Sequence, residues 1–236
     1  MITRRELLAC TGMGATLALG ATAHVRAGCS TSGWDLDPSR FETVLQALTE
    51  IRDLGFSGFE THLRYLRPQM NRQEEARAEI ASKELVFLGV QVNLPNLDEL
   101  GLDRALEDFG RQAMAAKQFG AKSIMATGAT KDPKFVDAVA MRSLEMGVTF
   151  VLRVDNAATL VEQTNPKTVY FAVGAADVEF FQNHPGRTFA IHLENEDGLR
   201  DIASAARKTK WISWLVHEGK SSPADSRAAM KKVFGV

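Results

Sequence analysis

Polar side chains recur at two-residue steps where short apolar runs come to an end. "FAIHLEN" (189–195) sets His192 and Glu194 on one parity, "LRVD" (152–155) does the same for Arg153 and Asp155, and "WLVHEG" (214–219) carries Glu218 near its end. "FETH" (59–62) adds Glu60 and His62, and "GVQVN" (89–93) adds Gln91 and Asn93. An imidazole grouped with carboxylates can ligate a divalent cation, and a carboxylate beside a substrate can accept or return a proton. A guanidinium does neither. It stays protonated, has no lone pair to give, and presents a planar fork that matches carboxylate or phosphate. Other chemistries lack their residues: the sequence has no Gly-x-Ser-x-Gly elbow and no His-Glu-x-x-His pair. No lysine falls on an inward strand end before Gly219, leaving Lys220 as the marginal candidate for Schiff-base chemistry.

Elements must bring these side chains together. From Cys29 onward, apolar runs alternate with stretches of helical period, separated by Gly, Pro, Asn or Asp. Strands are expected near 28–32, 57–62, 86–94, 122–128, 148–155, 168–175, 188–195 and 211–219, each followed by a helical stretch. In 102–120, Leu102, Leu106, Phe109, Ala113, Ala116 and Phe119 form one apolar face. "DPSRFE", "DPKFVD" and "SPADSR" read as helix starts with proline at the first helical position. Eight strands alternating with eight helices, with no internal change of composition, predict an α/β fold: a single (β/α)8 TIM barrel over 28–236. An open doubly wound sheet would need a Gly-x-Gly-x-x-Gly after its first strand, and none is there. In a barrel, His192, Glu194, Glu218, Arg153, Asp155, Glu60, His62, Gln91 and Asn93 point inward at the strand ends, while His217 points outward.

The 236 residues, 45% hydrophobic and 24% charged with a formal net charge of −1, fit one globular domain. No basic block or basic-aromatic stripe favours nucleic acid. Residues 1–27 have another character: Arg4 and Arg5, an uncharged small-residue stretch, and "VRA" before an expected cleavage after Ala27. This is read as a signal peptide of the twin-arginine type, which implies export to the periplasm and no stable membrane insertion once it is removed. The alternatives are an uncleaved membrane anchor or lipidation at Cys29. Removal of 1–27, with Arg4, Arg5, Arg26 and Glu6, takes the formal charge from −1 to −3 and leaves Cys29 as the one cysteine, without an intrachain partner.

The order of "LQALTEIRDLGFSGFET", "FGAKSIMATG", "MGVTFVLRVDN", "FAIHLEN" and "WLVHEG" resembles the sugar phosphate isomerase/epimerase family, the xylose-isomerase-like barrels. That resemblance implies a small sugar ligand and a divalent metal, Mn or Mg, held by Glu, Asp, His and Glu at the ends of strands five to eight. The two glutamates of the family also move a proton between neighbouring sugar carbons. By resemblance, His192 and Glu218 match two metal positions, Glu218 also being the general base, and Glu60 matches a substrate-contacting acid. The chain departs at the other two: Arg153 stands at the strand-five glutamate and Gly174 at the strand-six aspartate, with Asp155 and Asp177 at the neighbouring histidines. Two readings follow. In one, the barrel binds a sugar-like ligand through Arg153, Glu60, Asp155, Asp177 and Trp34, around a metal site that has lost its ligands. In the other, His192, Glu218, Asp155 and Asp177 form a shifted metal set in an active isomerase or epimerase. Trp34 either stacks on a sugar face or caps the barrel. The loop "EGKSSPADS" either offers Lys220, Ser221 and Ser222 to a phosphate or is an ordinary capped helix start.

Overall fold

The computed structural model describes residues 25–209, 214–219 and 221–236. Eight parallel strands close into a barrel in sequence order. They are β1 (Arg26–Ser30), β2 (Gly58–His62), β3 (Val86–Asn93), β4 (Ser123–Thr127), β5 (Thr149–Arg153), β6 (Val169–Gly174), β7 (Thr188–Leu193) and β8 (Trp214–His217). The helices are α1 (Phe41–Asp53), α2 (Gln73–Ala81), α3 (Leu97–Leu100), α4 (Leu102–Gln118), α5 (Pro133–Met146), α6 (Ala157–Leu160), α7 (Val178–Asn183), α8 (Leu199–Thr209) and α9 (Pro223–Phe234). The expected (β/α)8 barrel is the observed fold. β1 pairs with β8 from Arg26↔Trp214 to Cys29↔His217, so the expected boundary after Ala27 falls inside a strand.

Strand parity divides the side chains as alternation requires. Outward residues such as Phe59, Phe87, Val90, Phe150, Leu152, Phe171, Ile191, Leu193 and Leu215 form the main core against the helices. Inward residues fill the barrel in two smaller clusters, one around Leu88, Ala190 and Val216, the other around Met125, Val151 and Ala172. Trp214 belongs to the first, and glycine makes the room for it: a Cβ on Gly58 would lie 2.8 Å from the Trp214 ring. The next inward residue along most strands is polar. Arg153 follows Val151, His192 follows Ala190, Glu218 follows Val216 and Glu60 follows Gly58. A register shift between Phe59 and Glu60 then pairs Glu60 with Gly89 and brings Gln91 into line with His62.

The helix starts obey the capping signals in two of three places. Asp132 accepts the amides of Lys134 and Phe135 ahead of Pro133, and Ser222 accepts that of Asp225 ahead of Pro223. At "DPSRFE" the Asp37 carboxylate is taken instead by the amide and hydroxyl of Ser39, making a turn, and α1 begins at Phe41. Between β5 and β6 the helix is cut to the four residues of α6, and between β6 and β7 to the six of α7.

Candidate functional site at the barrel mouth

Strands β2, β5 and β7, and the residue that follows β8, deliver four charged or ionisable side chains to the same end of the barrel. Two pairs result. His192 Nε2 lies 3.0 Å from Glu60 Oε2, and the Gln91 side-chain amide donates to the same oxygen at 3.2 Å. Both members of this pair are buried, at 1% and 0% side-chain exposure. A carboxylate has only lone pairs to offer, so the imidazole N–H is the donor. The second pair joins the Arg153 guanidinium to Glu218, both partly buried.

Each pair leaves lone pairs over. Glu60 Oε1, His192 Nδ1 and Glu218 Oε2 are buried and find no hydrogen-bond partner among the described residues. The electrostatics follow from the pairing. Burial pushes the Glu218 carboxyl up, but the hydrogen bond from Arg153 and the charges of His192, Arg153 and His217 outweigh it and hold the group below its ordinary value. Burial likewise pulls Arg153 down, and the Glu218 bond with the charges of Glu218, Glu60 and Glu194 raises it. Arg153 is therefore a fixed positive charge in the field of three carboxylates.

Beside Arg153 opens a cleft of about 500 Å³, lined by Thr127, Arg153, Asp155, Gly174, Asp177 and Glu194 with the apolar Val154, Ala172 and Val173. Asp155 and Glu194 are exposed on its wall. The Gly174 amide donates to Asp177 Oδ2 at 3.1 Å. The structure thus sorts the expected residues into two groups: Glu60, His192 and Glu218 lie with Arg153 in the paired cluster, and Asp155 and Asp177 share the cleft wall. Trp34 lines neither; its indole N–H donates to Glu50 of α1 at 2.7 Å. His62 is turned to its own backbone, accepting from the Arg64 amide. Ser222 caps α9 and Ser221 bonds Ser226, so both hydroxyls are spent locally, while Lys220 lies outside the described residues.

One contributor was not singled out from the sequence: Thr127 lines the cleft, and parity along β4 is the signal that finds it, while Glu194, already placed inward by parity, lines it as well. The bonds of Gln91 and His192 to Glu60 link strands 31 and 132 residues apart, and no local pattern announces them.

The sequence resemblance implies a divalent metal, and the donor set here does not fit one. Among the described residues no three His, Cys, Asp or Glu side chains come together as a ligand group. His192 Nε2 is committed to Glu60, Glu218 Oε1 is committed to Arg153, and the guanidinium adds a permanent positive charge where a cation would be repelled.

The (β/α)8 fold is shared with solved structures of xylose-isomerase-like TIM barrels. A xylose isomerase-like TIM barrel/4-hydroxyphenylpyruvate dioxygenase fusion protein superposes with a TM-score of 0.71 at 12% identity, over 88% of this chain; the chain spans 42% of that protein's length. An L-ribulose 3-epimerase superposes with a TM-score of 0.69 at 16% identity, over 90% of this chain and 86% of the other. A sugar phosphate isomerase/epimerase from Parabacteroides distasonis does so with a TM-score of 0.65 at 14% identity, over 89% and 96%. No protein-family model and no curated protein matches the sequence.

Proposed function

We propose that this barrel binds a small, neutral, sugar-like molecule at its mouth and does so without a divalent metal. The observation that carries the reading is the pair of Arg153, at the inward end of β5, with Glu218, just after β8, standing beside a cleft walled by Asp155, Asp177 and Glu194. Carboxylates accept hydrogen bonds from ligand hydroxyls, and Arg153 donates to a ligand carbonyl or hydroxyl. Three acids against one already paired guanidinium favour a neutral polyol over a sugar phosphate, whose charge the wall would repel. Structural neighbours named as sugar isomerases and epimerases support the ligand class. A proton transfer on the family pattern receives less support: Glu218, held as a carboxylate of lowered basicity by Arg153, is a weak base near neutral pH. The N-terminal sequence supports export as part of the same proposal.

The test is calorimetric titration with a panel of neutral aldoses and ketoses and with their phosphates, together with elemental analysis of protein purified without chelator. Saturable binding of a neutral sugar, weaker or absent binding of its phosphate, and a melt indifferent to EDTA are expected. One equivalent of Mn, Mg, Co or Zn with an EDTA-sensitive melt would overturn the metal-free reading and favour the isomerase with a shifted ligand set.

A further inference from the structure

The N-terminal segment carries two candidate processing points, and the fold distinguishes them. One is the "VRA" that ends at Ala27; the other is Ala21-Thr22-Ala23, small residues in the spacing that signal cleavage recognises. In the structure Val25 is 3% exposed and Ala27 2% exposed, and both belong to the main core. The Ala27 carbonyl accepts from the amide of Ser57 at 2.9 Å and from its hydroxyl at 3.0 Å. Arg26 pairs with Trp214 and Ala27 with Leu215, two of the four register pairs that close β1 on β8, and the Arg26 guanidinium lies over the Trp214 ring at 5.6 Å from its centroid.

A cut after Ala27 would therefore delete half of the closing seam and strip the partner from Ser57. A cut after Ala23 would leave β1 whole. We infer that the exported chain is processed between Ala23 and His24, so that the mature protein begins His-Val-Arg-Ala-Gly. Arg26, whose charge would be lost with a longer leader, then stays with the barrel as the cation on Trp214. The inference rests on the export reading proposed above, and the two fail differently.

The experiment is N-terminal sequencing and intact mass of the full-length chain recovered from the periplasm of an expressing bacterium, with an Ala23→Leu variant beside it. A mature chain starting at His24, with processing lost in Ala23→Leu, is the expected result. A mature chain starting at Gly28 overturns the site while leaving export standing, and an unprocessed chain confined to the cytoplasm overturns both. Purified chains beginning at His24 and at Gly28 supply a second readout. The shorter is expected to melt lower by roughly 5 °C or more, since it forfeits a buried valine, a buried alanine and two hydrogen bonds. Equal melting points would overturn the structural argument.

Discussion

Arg153 determines the character of the mouth, because its charge is permanent and its partner is a partly buried acid. Replacing it by methionine keeps much of the stem's volume and removes the charge, leaving Glu218 with no donor on either oxygen among the described residues. A cost of about 2 kcal/mol is expected, between the values for exposed and fully buried pairs. Urea denaturation of Arg153→Met beside Arg153→Lys measures it, and the lysine variant should recover part of the loss. The inward placement of Arg153, His192, Glu60 and Glu218 was legible in the sequence, since alternation along a strand decides it. Which partner each would take was not. Glu60 meets His192 across the barrel only because a register shift after Phe59 and the closure of β8 on β1 set their heights, and neither leaves a local mark. Trp34 shows the same limit: its Glu50 partner is on α1, where helix packing and not strand parity sets the position.

Among the elements, the flank between β5 and β7 is the departure from an even barrel. With α6 cut to four residues, the connection there has little helix surface to bury, and a side chain takes over part of that work. Arg187, 9% exposed just before β7, donates to the carbonyls of Val169, Val161 and Thr164 and to the Thr164 hydroxyl, with its guanidinium over the Phe171 ring. Burial pulls its pKa down despite Asp137, Glu162 and Tyr170. The contacts lie at the N-terminal ends of β6 and β7, where barrel residues serve stability and not chemistry. Arg187→Met is accordingly expected to lower stability by about 3 kcal/mol, since it orphans several buried acceptors, while sugar titration of the folded variant remains unchanged. The clamp was not legible in the sequence: an arginine ahead of a strand looks like any surface arginine until the fold encloses it.

At the scale of the whole molecule, three ionisable groups, His217, His62 and Glu218, act in the same direction as pH falls. Burial lowers His217 below its ordinary value of 6.5 despite the nearby Glu218, and it lowers His62 with help from Arg64 and Arg67. Glu218 is lowered as well. In each case the unfolded chain binds protons more readily than the folded one, so stability is fully present above the unfolded values and falls as pH drops through them. Chemical denaturation from pH 8 to pH 3 should therefore show a first decline beginning near pH 6.5, from the histidines, and a second across the carboxylate range, from Glu218. In His217→Gln the first decline should shrink. Among the described residues no helix is long and apolar enough to cross a membrane.

Cys29 gives the seam between β1 and β8 a use in the laboratory. Its thiol is completely buried, pushed well above the usual range first by burial and then by the charge of Glu60, and it donates to the Ser30 carbonyl. A maleimide or aromatic disulfide reagent needs an accessible thiolate, which this strand withholds. The rate of covalent tagging at pH 8 should thus follow the opening of the barrel itself, accelerating in Arg187→Met in proportion to its lost stability and slowing with a bound sugar. In a purified chain beginning at His24, which lacks Cys10, Cys29 is the one thiol and keeps a clock of the barrel's breathing with a single hand.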